Sequence, residues 1–207
     1  MTDMKKNTIC LLTLLFSFLV VLPASALEVP SPEETTPEQT LSPVWKVTAM
    51  AGSHMFVDYL GGVRVGAAPE IGLRESRWFV NKWGNRELGA AIDLSGVSGR
   101  VAGNNFAYNR IGVSALFDLM QASASSAALS EHFGVVPYVH AAVAFAPNGV
   151  AVPFGIGGYL EWRFDEHLAI QGELRGSFLD AKKVRDINGN MNVAGNASAT
   201  IGVSWSF

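Results

Sequence analysis

From Val44 onward, apolar and polar positions alternate with a period of two, and the pattern is clearest at the end of the chain. Ala197, Ala199, Ile201, Val203, Trp205 and Phe207 form an apolar row, while Asn196, Ser198, Thr200, Gly202, Ser204 and Ser206 form a small, polar one. A helix would scramble these rows, because its period is 3.6; a strand sets successive side chains on opposite faces. Two segments before it repeat the pattern. Leu168, Ile170, Gly172, Leu174, Gly176 and Phe178 oppose Ala169, Gln171, Glu173, Arg175 and Ser177; Phe154, Ile156, Gly158, Leu160, Trp162 and Phe164 oppose Gly155, Gly157, Tyr159, Glu161 and Arg163. Only Asp165-Glu166-His167 separates these two, which predicts a tight hairpin. Five earlier segments, over 138–145, 110–118, 87–94, 64–74 and 45–52, alternate in the same way. The second is the least regular: Pro69 interrupts it and its phase blurs past Glu75, which predicts a bulge.

The expected architecture is therefore all-β, with eight antiparallel strands, most of them near the about 9–11 residues a tilted membrane strand needs. The polar rows carry Lys46, Glu70, Arg74, Asp93, Arg110, Glu161, Arg163, Glu173 and Arg175, and the apolar rows carry almost no charge. A continuous apolar exterior aggregates in water but suits a barrel wall in lipid. If strand ends alternate between two rims, Trp45, Trp78, Phe117, Trp162 with Phe164, and Trp205 with Phe207 share the rim on which the strands begin and end. Tyr59, Phe106, Phe145, Phe154 and Phe178 share the other. Two aromatic belts are the mark of two membrane interfaces.

The first 26 residues read as an address. Lys5 and Lys6 precede an apolar run over 9–22, and Ala24-Ser25-Ala26 forms an A-x-A cleavage site. The lone cysteine, Cys10, lies in that run, so disulfides and thiol chemistry are not expected in the mature chain. Residues 27–43 read as a flexible acidic periplasmic segment, which leaves 44–207 for the barrel. The net charge of -3 excludes a basic nucleic-acid footprint.

Pro137-Tyr138-Val139-His140-Ala141, the run Gly157-Gly158-Tyr159-Leu160-Glu161-Trp162-Arg163-Phe164 and the ending Ile201-Gly202-Val203-Ser204-Trp205-Ser206-Phe207 resemble the outer-membrane β-barrel domain family. That family includes the transmembrane domain of OmpA and the OmpX-like small barrels. The resemblance implies an up-and-down transmembrane barrel in the outer membrane of a Gram-negative bacterium, surrounded by outer-membrane lipids. It also implies that the barrel-assembly machinery reads the last strand and its terminal Phe207. The stretch 119–135 is longer than a usual periplasmic turn, and 121–128 suits either a short helix or a loose turn.

An eight-stranded barrel has an interior just wide enough for side chains to fill it, and charges buried there must pair. Lys46, Glu70, Asp93, Arg110, Glu161, Arg163, Glu173 and Arg175 are accordingly expected to form an ionic network filling the lumen; a gated ion path is the rival. Trp45, Trp78, Phe117, Trp162, Trp205 and Phe207 are expected to form the periplasmic girdle and assembly signal. Ser53, His54 and Asp58 are the nearest approach to a lipid-modifying catalytic set. Adjacent strand residues point to opposite faces, however, and no H-x-S motif is present, so no enzyme is expected. His132, His140 and His167 are scattered, and Gly155-Ile156-Gly157-Gly158 lies in a strand rather than before a helix, so neither metal nor cofactor is expected. The outer loops, near Gly61 and over 99–105, 147–151 and 181–194, name no surface ligand. The leading reading is a structural or surface-interaction barrel, with a narrow pore or small-solute carrier as alternative and a lipid A modifying enzyme behind both.

Overall fold

The computed structural model describes residues 44–58, 63–80, 85–101, 104–122, 131–146, 149–178 and 193–207. The expected leader over 1–26, the acidic segment over 27–43 and the expected loops near Gly61 and over 181–192 lie outside these. Much of the expected loops over 99–105 and 147–151 is instead strand, with Gly99, Arg100 and Val101 paired to Phe106, Asn105 and Asn104 and a short strand at Gly149–Ala151. The strands are β1 (Val44–Asp58), β2 (Val63–Phe79), β3 (Leu88–Val101), β4 (Asn104–Phe117), β5 (Phe133–Ala146), β6 (Gly149–Ala151), β7 (Phe154–Arg163), β8 (Leu168–Phe178) and β9 (Val193–Ser206); the short helix α1 (Leu119–Ala122) follows β4. All pairings are antiparallel, in the order β4-β3-β2-β1-β9-β8-β7-β5, and β4 pairs with β5 to close the barrel. β6 and β7 are one stave. Both pair with β5, at Ala144↔Ala151 and Ala141↔Phe154, and between them the Ala142 amide donates to the Pro153 carbonyl at 2.8 Å. The closed sheet thus has eight staves and no free edge, the only sheet form that satisfies its backbone without water.

The period-two rows become an inner and an outer surface. In β5, Val136, Tyr138, His140, Ala142 and Ala144 are buried between exposed Pro137, Val139, Ala141, Val143 and Phe145. The outer row carries large apolar side chains in the open, with Ile201 72%, Leu174 70% and Ile71 69% exposed. Inside, apolar residues gather in two clusters: Trp78, Ala91, Leu116, Val136, Tyr138 and Tyr159 toward the end where the chain's strands begin and finish, and Phe56, Ala68, Val97, Tyr108, Ala144 and Ala151 toward the other.

Three details differ from the sequence pattern. The bulge lies before Pro69: the register passes from His54↔Ala68 to Phe56↔Val65, so β2 spends one extra residue there, and from Pro69 to Phe79 its alternation is strict. β5 begins at Phe133, and Pro137 sits within it opposite Gly158. The connection from β4 opens with α1, whose first amides at Met120 and Gln121 are capped by the Asp118 carboxylate at 2.9 and 3.3 Å.

Trp78 is the one girdle residue that is misplaced. Strict alternation in β2 puts it on the inner row with Arg74 and Ser76, where it is 3% exposed and lies beneath the Lys46 ammonium, 5.6 Å from the ring centre. Trp45, Phe117, Trp162, Trp205 and Phe207 do stand on the outer row at the terminal end. Trp45 and Phe207 exchange backbone hydrogen bonds of 3.1 and 2.9 Å there, and Trp205 and Trp162 pair with Leu168 and Phe133 at the ends of their strands. At the opposite end Phe154 and Phe178 lie side by side, 5.8 Å between ring centres, and Phe145 shares their end. The side chains of Tyr59 and Phe106 lie outside the described residues.

Candidate functional site: a layered lumen

The inner rows stack into alternating charged and apolar layers. Nearest the terminal rim, the Lys46 ammonium meets Glu161, whose second oxygen accepts from Arg163 Nε at 2.8 Å; Arg163 Nη2 donates to Asp118 at 2.7 Å. Trp78 lies on the rim side of the Lys46 ammonium, in the wall of the mouth, and above this layer lie Tyr138, Tyr159, Leu116 and Val136.

Next comes the central layer. Arg74 donates from Nε to Asp93 at 2.6 Å and grips Glu173 with both terminal nitrogens, at 2.7 and 3.1 Å. Its guanidinium also lies 5.0 Å above the Tyr138 ring and 5.5 Å from Tyr159. Tyr138 donates its hydroxyl to Glu173 at 2.5 Å, and Ser114 donates to Asp93 at 2.7 Å. Arg175 joins Glu173 to Glu70, at 3.4 and 2.5 Å, and Glu70 also accepts from or shares a proton with His54 Nδ1 at 3.1 Å. Glu70, Asp93 and Glu173 balance Arg74, Arg110 and Arg175, and Lys46 and Arg163 balance Glu161 and Asp118 below. Each charged layer is therefore neutral, which is what burial at low dielectric demands. Arg110 is the least satisfied member: its nearest carboxylate, Glu70, is 4.0 Å away, and its Nε and Nη1 have no hydrogen-bond partner.

Rings gather toward the far end. His54, Phe56 and Tyr108 pack mutually, with centres 4.8 to 5.5 Å apart, and Asn196 holds the Tyr108 hydroxyl at 3.2 Å. One glycine has a definite purpose in this packing: a Cβ on Gly157 would overlap the Tyr138 ring, so only glycine lets that ring lie across β7 and reach Glu173.

All eight residues expected in the lumen are on the inner row. Arg163 and Glu173, though on adjacent strands, belong to different layers and do not pair with each other. The expected set omits Arg74, Asp118, His54, Ser114 and Tyr138, all of which fall on inner positions by the same alternation. Ser53 and His54 face opposite sides, with His54 turned to Glu70 and Ser53 on the outer row; the Asp58 side chain lies outside the described residues. His140 Nε2 is 3.3 Å from both Ser177 Oγ and the Gly176 carbonyl. Among the described residues no group of three His, Cys, Asp or Glu side chains is arranged to hold a metal ion.

At the terminal mouth a cavity of about 380 Å³ opens between Lys46, Asp118, Arg163, Arg86, Glu131 and His132. Burial, followed by the nearby Arg163, lowers the pKa of Arg86, against the pull of Glu161. Below it, Asp165 closes the β7–β8 hairpin by accepting the Leu168 and His167 amides at 2.7 and 2.8 Å, and these bonds lower its pKa. A depressed carboxyl pKa means that the turn's contribution is full above the ordinary carboxylate pKa and fades only as pH falls through the lowered one.

No family model matches the chain, and no curated protein shows significant similarity to it. Solved structures do. Neisserial surface protein A matches with a TM-score of 0.50 at 14% identity, over 79% of this chain and 97% of that one. Ail, the attachment invasion locus protein of Yersinia pestis, solved with the heparin analogue sucrose octasulfate, matches with a TM-score of 0.51 at 8% identity, over 81% of this chain and 100% of that one. A structure of Ail without that ligand matches equally, at 0.51 and 9% identity. The fold is that of the small eight-stranded outer-membrane barrels. At these identities the likeness concerns the path of the backbone, and the layered lumen is described from this chain's own residues.

Proposed function

We propose that the chain is an integral outer-membrane β-barrel with a sealed lumen, whose work is done by its outer wall and surface loops rather than by conduction or catalysis. The observation that carries this reading is the inverted surface: large aliphatic side chains stand about 70% exposed outside while ten charged side chains are turned inward. In water such a wall drives aggregation; in lipid it is the favourable exterior. The aromatic rings at both ends suit the two interfaces. Outer-membrane lipids are the partners of the wall. The terminal strand β9, ending in Phe207, is offered to the barrel-assembly machinery as an edge to be paired.

Two observations favour a sealed barrel over the pore or carrier. Rings and aliphatic side chains fill one layer between the charged layers and another beyond the central one. The charges between them are held by direct bonds to one another rather than lining an open bore.

The test is a planar-bilayer recording of refolded protein whose unboiled and boiled forms run at different gel positions, the sign of a closed barrel. The expected result is no stepwise conductance at neutral pH. Discrete, reproducible current steps would replace the sealed barrel with the pore.

A further inference from the structure

One arrangement occurs twice on the terminal rim. Glu131-His132-Phe133 leads into β5 and Glu166-His167-Leu168 leads into β8. In each, the apolar residue pairs with an outer-row tryptophan on the neighbouring strand, Phe133 with Trp162 and Leu168 with Trp205. The histidine stacks on that tryptophan: His132 lies 6.3 Å from Trp162 at 22°, and His167 lies 5.4 Å from Trp205 at 13°. Each ring also turns Nδ1 to the carbonyl of the residue after the tryptophan, His132 to Arg163 at 3.3 Å and His167 to Ser206 at 2.9 Å. A carbonyl only accepts, so Nδ1 donates, and in the neutral ring Nε2 is left as an acceptor.

A glutamate precedes each histidine and stands exposed, with Glu166 Oε1 3.6 Å from His167 Nε2. Among the described residues neither Glu131 nor Glu166 has a lysine or arginine as ion-pair partner; the mouth cations Lys46 and Arg163 are bound to Glu161 and Asp118. Both places therefore offer a carboxylate and a ring nitrogen to a donor of positive charge. They lie just beyond the tryptophans, on the water side of the interface those rings mark. Inward from them along the wall, the outer rows of β5, β7, β8 and β9 form an apolar groove of about 490 Å³, lined by Pro137, Gly158, Leu160, Gly172, Leu174 and Ala199. Glycine keeps it open: a Cβ on Gly172 would meet nothing within 4 Å.

We propose that rim and groove together seat an amine-bearing phospholipid of the phosphatidylethanolamine type, its ammonium donating to a rim glutamate and the histidine beside it, and a tail lying in the groove. The inference rests on the membrane-barrel reading given above and names the lipid that the wall holds. The order of groups matches. From water inward the wall presents carboxylate, tryptophan and apolar groove; the lipid presents ammonium, phosphate and acyl chain. A headgroup with net negative charge would meet two carboxylates instead, and a quaternary amine has no N–H to donate to them.

The experiment reads lipid retention by native mass spectrometry of the refolded protein, released from micelles holding equal amounts of phosphatidylethanolamine, phosphatidylcholine and phosphatidylglycerol. The different gel positions of boiled and unboiled protein serve as the folding control for every variant. Wild type is expected to retain phosphatidylethanolamine over the other two by about fivefold, the upper scale of an exposed charge pair. Glu131→Gln combined with Glu166→Gln is expected to remove that preference. Gly172→Leu fills the groove and leaves the rim untouched, so it is expected to lower retention of all three lipids while keeping their ranking.

Equal retention of the three lipids by wild type overturns the proposal, as does a preference for phosphatidylglycerol. A preference that survives in the double glutamine variant, or Gly172→Leu with unchanged retention, overturns it as well. If wild type shows no heat-dependent gel shift, it is the barrel reading that fails; a folded barrel without the preference removes this inference alone.

Discussion

Arg74→Met is expected to destabilise the folded barrel by about 3–5 kcal/mol, the characteristic penalty for removing one partner of a buried ion pair. Arg74 is 1% exposed and makes three bonds, one to Asp93 and two to Glu173, while its guanidinium covers the rings of Tyr138 and Tyr159. Methionine keeps much of the stem's volume, so the loss is chiefly of charge. Asp93 then keeps Ser114, and Glu173 keeps Tyr138 and the longer contact to Arg175. Neither set of remaining bonds replaces a guanidinium, and the central layer carries an uncompensated negative charge. The measurement is guanidinium-induced unfolding in micelles. Arg163→Met serves as the comparison. Its side chain is 18% exposed at the terminal mouth, where water reaches the carboxylates it leaves behind, so it is expected to cost less. The double variant Arg74→Met with Glu173→Gln should recover part of the loss, because two opposite charges then leave together. Equal losses for Arg74→Met and Arg163→Met would mean that the central layer is as wet as the mouth.

Leu174→Arg is expected to impair folding into lipid by about 2–4 kcal/mol, the cost of a cation on a barrel's outer face near the bilayer midplane. Leu174 stands on the outer row in the middle of β8, 70% exposed, with Gly158 and Ala199 opposite it on the neighbouring strands. Nothing inside the barrel depends on its side chain. Leu174→Ala removes apolar contact with lipid but adds no charge, so its cost should be smaller. The ordering is diagnostic of the solvent outside. On a water-exposed wall, arginine at a site this open would be harmless and would improve solubility. Folded yield in vesicles, read from the unboiled gel position, separates the two cases; wild-type yield for Leu174→Arg would mean that β8 does not face lipid there.

How much of this was readable in the residues depends on whether the polarity pattern and the strand phase agree. In β9 they agree from Asn196 onward, and the rows Ala197 to Phe207 and Asn196 to Ser206 define the two faces directly. In β2 they conflict. Glu75 and Arg77 put charge on the outer row while Trp78 puts an indole on the inner one, so polarity misleads just where the backbone alternation is strict. The girdle assignment of Trp78 failed for that reason.

Pro137 hid the start of β5, because a proline lacks the N–H that a ladder uses and so looks like a boundary. Which inner residues meet could not be read from period two at all. Arg74 and Glu173 lie 99 residues apart and Arg163 and Asp118 45 apart, and only the register and closure of the sheet set each pair at one height. Asp118 and His54 were visible as inward positions, but their membership of the charged layers rests on that register.

The most direct measurement is of the alternation itself in a bilayer. With Cys10 replaced, a single cysteine is introduced in turn at each position from 196 to 205 on β9, spin-labelled, and the protein is refolded into vesicles. Accessibility to oxygen, which partitions into lipid, is then read by electron paramagnetic resonance. High values are expected at 197, 199, 201, 203 and 205 and low values at the positions between them, with the odd-numbered maxima greatest toward the middle of the strand. A pattern without period two, or one in which the even positions contact lipid, would contradict a membrane-spanning barrel with its charged rows turned inward.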